Sequence, residues 1–453
     1  LFGLGGVHQL DCGLECPDEE TIDLSLYYFL LVILSLSCGS LPSWEIDVPR
    51  ALAASMGLIA GWSLLSHVGA RIVSQHALQG ELEPLAAAGW IEKQLSAFRW
   101  LGLGVVVMCL AGFGLARMLD TLPYFAESMF LQACVLLLPG ILIAAATWSA
   151  EHYYGVRMGY TDRSLRNYFQ SLWMAFRSAL SWLVIPILML LGVGDLVAQL
   201  SLSPEWTRML TLGFVVFFVT IGLPWLVRFL FKTSRIDPGY EAWIEQVLSA
   251  AGVRGTKPVR WDTNRRAFNA MIAGFVPSVR SLLLSDRLLD ELPSDQLAMV
   301  VLHEAAHVRR RHIPLRMLSV LPAWGAGAAL TRLTDGYDWA MILGSVVGIL
   351  LMLLMLRVVA YRTEHDADVQ ACRIAAKISS QVDGVPATES IAAEVLSAAL
   401  MRVTYDQPAG RGPTWLHPGV TQRIDHMRRA CNVLVRETPQ TNNRAAGTMA
   451  NPA

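Results

Sequence analysis

Runs of apolar residues long enough to cross a bilayer constrain this chain more than any other feature. A helical crossing takes about 20 residues, and such runs fall near 24–42, 51–73, 99–119, 128–149, 178–199 and 209–231. Two more follow at about 314–331 and 339–360, joined by the polar Thr334-Asp335-Gly336-Tyr337-Asp338. Inside hydrocarbon every backbone polar group must be satisfied internally, so these runs are expected as helices. Composition agrees. The 453 residues are 54% hydrophobic and 16% charged, whereas an ordinary soluble chain is about a quarter charged. Trp44, Trp100, Trp148, Trp173 and Trp206 stand near the ends of the runs, where an aromatic belt sits. The fold class expected is an α-helical polytopic membrane protein.

Lys and Arg give the orientation. Arg71, Lys93 and Arg99 flank the second-to-third connection, and Arg157, Arg163, Arg166 and Arg177 the fourth-to-fifth. Arg228, Lys232 and Arg235 follow the sixth run. The alternate connections carry only Arg50, Arg117 and Arg208. The positive-inside rule then places the N-terminus and the segment that follows residue 231 on the cytoplasmic side of a plasma membrane, bacterial by expectation. A net charge of -1 gives no basic excess for nucleic acid. The seven cysteines show no paired spacing and are read as free thiols. The chain begins at Leu1, consistent with a truncated or processed start, and Asp18, Glu19 and Glu20 precede the first run where a signal peptide would be basic.

The chain divides into a polar tail (1–23), a membrane domain of about six spans (24–231), a soluble piece (232–313), a transmembrane hairpin (314–360), a second soluble piece (361–433) and a tail expected to be disordered (434–453). Val259–Trp261, Ala270–Ile272 and Ser281–Leu284 read as short strands between turn-like Asp262-Thr263-Asn264 and Val276-Pro277-Ser278. No repeat is evident, which argues against a transporter. His67 and Asp195 lie in or near span ends and are read as helix–helix contacts.

The chemistry begins at His303-Glu304-Ala305-Ala306-His307. Residues four apart share a helical face, so both imidazoles reach one point. That spacing suits zinc, and Glu304 between them can serve as base toward the attacking water. Asp295 to Val301 contains no Gly or Pro; Ser294 is the expected N-cap. The plain alternative is two surface histidines on an amphipathic helix. Catalytic zinc wants three protein ligands. A third His close behind would need Gly at 310 and His at 313, where Arg310 and Ile313 stand. The source expected is Tyr361-Arg362-Thr363-Glu364-His365-Asp366-Ala367-Asp368. Glu364 and Asp368 share a face, so Glu364 could ligate while Asp368 accepts a hydrogen bond from a ligating imidazole. His365 and Asp366 remain alternative ligands.

Taken together, the chain resembles the integral-membrane gluzincin endopeptidases that include the CAAX prenyl proteases and the HtpX-type heat-shock proteases. Their H-E-x-x-H, membrane hairpin and R-x-x-E-x-x-A-D are matched by His303–His307, the hairpin, and Arg362, Glu364, Ala367 and Asp368. Arg362 stands two rather than three residues before the glutamate, so its role does not transfer. An Asn-Ala substrate strand is matched by Asn269-Ala270-Met271, and a His-Pro and Arg-Ile pair by His417-Pro418 and Arg423-Ile424. The similarity covers about 235–430.

The resemblance implies a mainly helical, zincin-like catalytic domain with a small β-sheet and one zinc ion held by His303, His307 and Glu364. It implies Glu304 as general base, His417 and Arg423 toward the developing oxyanion, and Asn269 and Ala270 on the substrate backbone. The partners it implies are a peptide or protein substrate and the lipid bilayer, the substrates being membrane-associated or misfolded proteins. Two other readings compete: a sensor-transducer peptidase of the BlaR type, and a catalytically inactive membrane scaffold, against which the intact Glu304 argues.

Overall fold

The structure is a computed structural model and describes residues 24–38, 47–263, 265, 267–334, 336–337, 339–405 and 411–432. The expected tails at 1–23 and 434–453 lie outside the described residues, as do Trp44, Asn264, Cys12 and Cys16.

The N-terminal half is helical: α1 (Leu24–Ser37), α2 (Val48–Leu78), α3 (Pro84–Val107), α4 (Leu115–Thr121), α5 (Pro123–Ala126), α6 (Met129–Arg157), α7 (Leu165–Ala179), α8 (Ser181–Gln199), α9 (Pro204–Phe217) and α10 (Leu223–Leu230). Prolines open α2, α3 and α9, where a missing N–H has no intrahelical partner to lose. A π-turn at Met108–Gly112 extends α3, and another at Phe218–Gly222 joins α9 to α10. Five of these helical stretches are long and apolar enough to cross a bilayer: Val48–Leu78, Pro84–Gly112, Met129–Arg157, Ser181–Gln199 and Pro204–Leu230.

The first of the six expected runs, 24–42, is described only to Cys38. α1 has 14 residues, roughly 21 Å of helix against about 30 Å of hydrocarbon. It buries Tyr27 and Leu31 against the other helices. Trp148 leaves the expected belt: it is buried, and its Nε1 donates to the Tyr28 hydroxyl at 2.8 Å. His67 and Asp195 make the interhelical contacts expected. His67 Nε2 lies 2.9 Å from Ser149 Oγ across α2 and α6. The Asp195 carboxylate accepts from Ser128 Oγ, Met129 N and Phe130 N, so α8 caps the start of α6.

The second half holds β1 (Thr233–Ser234), α11 (Pro238–Ala250), β2 (Lys257–Trp261), β3 (Ala270–Ala273), β4 (Ser281–Ser285), α12 (Asp286–Glu291), α13 (Ser294–Arg309), α14 (His312–Leu318), α15 (Val320–Leu333), α16 (Ala340–Ile378), α17 (Glu389–Val403) and α18 (Val420–Ala430). The sheet order is β1-β2-β4-β3, with β2 and β4 parallel and the outer pairs antiparallel. All three expected strands are present. β1 was not anticipated, since two residues carry no alternation to read.

β4 is buried along its length because both its faces are covered. Leu282 and Leu284 pack into the core with α11, α13 and α16–α18, while Leu283 meets Phe231, Val259 and Trp261. α13 passes through that core, with Leu297, Met299, Val301 and Leu302 at 0% exposure. Ser294 is the helix's first residue rather than its N-cap, the cap position falling on Pro293.

The hairpin α14–α15 and α16 supplies the remaining two apolar stretches, His312–Leu333 and Ala340–Ile378. Its arms approach backbone to backbone: a Cβ on Gly327 would stand 2.7 Å from Gly344 O and 3.1 Å from Gly348 Cα. Small residues at that four-residue spacing are what close packing in lipid requires. Cys38, Cys109, Cys134, Cys372 and Cys431 are free thiols, as expected.

Candidate metal centre

α13 and α16 cross so that His303 and His307 from one meet Glu364 from the other. Among the described residues these three form a group whose donor atoms all lie within 4.8 Å of one another, and all three are buried. His303 Nε2 and His307 Nε2 are 3.2 Å apart. The Glu364 carboxylate stands 3.7 Å from His303 Nε2 and 3.5 Å from His307 Nε2. A zinc ion with bonds near 2.0–2.1 Å places tetrahedral ligands about 3.3 Å apart, so both the donor set and its spacing fit that ion.

Each histidine has its own support. His303 Nδ1 stands 2.9 Å from Asp368 Oδ1, and Asp368 is fully buried. Arg423 of α18 donates to both Asp368 oxygens, Nε to Oδ2 at 2.8 Å and Nη2 to Oδ1 at 2.6 Å. Burial pulls the His303 imidazole down, but the Asp368 and Glu364 carboxylates outweigh it and hold the group up, at about 9 in the metal-free site. His307 goes the other way. Burial, with His303 beside it, pushes it well below the usual histidine range.

Glu304, half-buried on the same helix, is pushed up to about 7, first by burial. Its carboxylate accepts a hydrogen bond from Ile272 N–H of β3. The register explains why that N–H is available. Ser285 N donates to Asn269 O at 2.9 Å, so the 269/285 pair is hydrogen-bonded. Bonded pairs alternate in an antiparallel ladder. Ala270 and Ile272 therefore turn their backbone groups away from β4, toward the open edge. Asn269 stands at the head of that edge, its own N–H bonded to Ser285 Oγ at 3.0 Å.

His417 lies in the loop before α18. Thr414 N–H donates to His417 O at 2.8 Å, and Tyr361 OH donates to Thr414 O at 2.7 Å, pinning the loop to α16. His417 Nδ1 stands 3.2 Å from Glu364, while its buried Nε2 has no partner among the described residues. Arg423 reaches both Asp368 and Glu364. Its Nε and Nη2 hold Asp368, leaving Nη1 at 3.8 Å from Glu364. Arg423, Asp368 and His303 thus form one chain of contacts that ends at the centre.

The two alternative ligands fall outside the donor group. The His365 ring packs against His426 with centroids 4.5 Å apart. Asp366 accepts from Arg310 Nε at 2.9 Å and lies 3.0 Å from His312 Nε2. Arg362 is exposed. Two residues at the centre were not foreseen. Arg316 donates to Glu364 at 2.7 Å and to Thr363 Oγ1, holding the third donor from α14. His312 Nδ1 meets His307 Nδ1 at 2.9 Å. The only sequence signal for His312 was a third His five residues past the motif.

A two-histidine, one-glutamate centre on crossed helices, beside an open strand edge and joined to helices long enough to cross a membrane, defines a membrane metalloprotease. Residues 237–430 match the sequence model of peptidase family M48, a metalloprotease family. Among solved structures, the crystal structure of S. mikatae Ste24p is similar, with 15% sequence identity and a TM-score of 0.37, covering 90% of this chain and 100% of that chain. No curated protein matches the chain.

Proposed function

We propose that the protein is a zinc endopeptidase that hydrolyses peptide bonds of membrane-associated or misfolded proteins. One observation carries this reading: three buried donor atoms from α13 and α16 converge within 4.8 Å, with Glu304 on the same helix as two of them. His303, His307 and Glu364 would hold the ion. Bound there, zinc would supply Lewis-acid polarisation of the scissile carbonyl and make the attacking water more acidic.

Everything else falls to the chain's own residues. Glu304 takes the proton from the attacking water and delivers it to the leaving amine nitrogen, restoring its carboxylate. Ile272 N–H keeps that carboxylate aimed between turnovers. Ala270, with Asn269 before it, offers backbone groups to which an extended substrate adds as a strand. His417 Nε2, buried without a partner, is the atom free to donate to the developing oxyanion when it carries a proton. Arg423 fixes Asp368, which fixes His303. The Lys and Arg pattern of the connections, with Arg309, Arg310 and Arg311 beside the centre, supports a cytoplasmic catalytic domain.

The test is metal content of the detergent-purified protein, wild type beside Glu364→Ala, with casein cleavage in parallel. About one zinc per chain, lost together with cleavage in the variant, is expected. Zinc retained in the variant would mean that the third ligand is not Glu364. Zinc absent from both would leave His303 and His307 with no metal to bind.

A further inference from the structure

His312 is 4% exposed and has no task in the hydrolysis described above. Its position depends on a strained turn. α13 ends at Arg309, and Arg311 takes φ +55°, in the left-handed region that side chains with a Cβ seldom adopt. That reversal starts α14 beneath the end of α13 and returns the His312 ring to His307, with centroids 5.0 Å apart and planes at 78°.

We propose that His312 and Asp366 position His307 by holding it in its metal-binding tautomer. The proposal rests on the reading of His307 as a metal ligand. Its nitrogen facing His303 and Glu364 is Nε2, at 3.2 and 3.5 Å. A ligating nitrogen needs its lone pair, so the His307 proton must sit on Nδ1. That Nδ1 is 2.9 Å from His312 Nδ1. Two ring nitrogens bond only if one carries the proton and the other does not. His312 therefore accepts at Nδ1 and carries its own proton on Nε2. Nε2 lies 3.0 Å from Asp366 Oδ2, an oxygen that only accepts when ionised, and Arg310 donates to the same atom at 2.9 Å. The direction of both bonds is thus set from the far end, by a carboxylate.

The two ligand histidines are supported by different means. His303 has a carboxylate directly behind it, and His307 has one at a remove of one imidazole. α16 supplies both, Asp368 one turn past Glu364 and Asp366 two residues past it on another face. A hydrogen bond behind a metal-binding imidazole fixes ring and tautomer, and its loss costs about 10–100-fold in metal affinity.

The experiment is a zinc titration of the full chain in detergent, stripped of metal, against a competing chromophoric chelator. Wild type is compared with His303→Ala, His312→Phe, His312→Gln and Asp366→Asn. His312→Phe should lose about 10–100-fold in zinc affinity. His312→Gln, whose amide oxygen can accept from His307 Nδ1, should stay within about threefold of wild type. Asp366→Asn should fall between them. Unchanged affinity in His312→Phe overturns the proposal, and so does a His312→Gln variant as weak as His312→Phe, since bulk rather than the hydrogen bond would then matter. If His312→Phe does not fold, Asp366→Ala, which removes the acceptor for His312 Nε2, decides: unchanged affinity overturns the relay. If wild type and His303→Ala are equally unable to bind zinc, the metal-site reading fails and takes the relay with it. Wild-type binding that is lost in His303→Ala but not in His312→Phe removes the relay alone.

Discussion

Replacing Arg423 with Met tests how the centre is held. The variant keeps an apolar stem of similar length and removes the guanidinium. Asp368 then stays fully buried, having lost two charge-assisted bonds of 2.8 and 2.6 Å. Removing one member of a buried pair costs about 3–5 kcal/mol where the remaining charge is left uncompensated; His303 Nδ1 stays 2.9 Å from Asp368, so the low end of that range applies. For a domain of this size 1 kcal/mol moves the melting temperature by about 2–4 °C, so Arg423→Met should melt on the order of 10 °C lower. The assay is thermal unfolding of the metal-free full chain in detergent, so that metal binding does not mask the loss. Pairing the change with Asp368→Asn separates pairing from packing. With the carboxylate neutralised, removing the guanidinium should cost much less than it does in wild type. A drop of under about 2 °C in Arg423→Met, which is less than about 1 kcal/mol, would refute the reasoning. So would a double variant in which the two losses simply add.

Three further outcomes are expected. Glu304→Gln should bind zinc normally while cleavage falls by about 10²–10⁴-fold, the usual contribution of a general base; proteolysis at the wild-type rate would remove Glu304 from that role. Zinc affinity should rise with pH. The His303 imidazole is held above its ordinary 6.5, at about 9 without metal, so its proton must leave as the ion enters. The apparent constant should climb about tenfold per pH unit from neutrality and level off near that pKa. The same proton stabilises the metal-free protein below pH about 6.5, and that contribution fades as pH rises through about 9. An affinity that is flat over this interval would contradict the Asp368–His303 contact. Ala270→Pro removes an N–H that faces the open edge and spares the ladder to β4, so it should raise KM for a peptide substrate about tenfold with the fold intact; an unchanged KM would mean that substrate does not add at this edge.

The sequence showed what depends on local period. Helical spacing placed His303 and His307 on one face with Glu304 between them in sequence, and short runs bounded by turn-like residues marked β2, β3 and β4. The four-residue step from Glu364 to Asp368 put a donor and its neighbour on one side of α16. Contacts that depend on how elements cross did not show. The Arg423–Asp368 pair did not show because nothing in the chain announces that Asp368 will be buried beside Arg423. His312 and Arg316 were passed over because their partners, Asp366 and Glu364, lie about 50 residues on, across the hairpin.

The continuity of α16 ties the chemistry to the bilayer. From Ala340 to Leu356 the helix carries no charge, about 17 residues or roughly 25 Å at 1.5 Å each. Arg357 follows, its guanidinium against the Tyr361 ring at 5.1 Å, an amphipathic pair of the kind that marks an interface. Glu364 comes seven residues later on the same unbroken helix, roughly 10 Å beyond Arg357. No loop intervenes, so the depth of the third donor is set by the span itself. His303 and His307 must meet it at that height, and α14, the first helix of the other hairpin arm, holds it there through Arg316. A centre built this way is fixed close above the lipid surface.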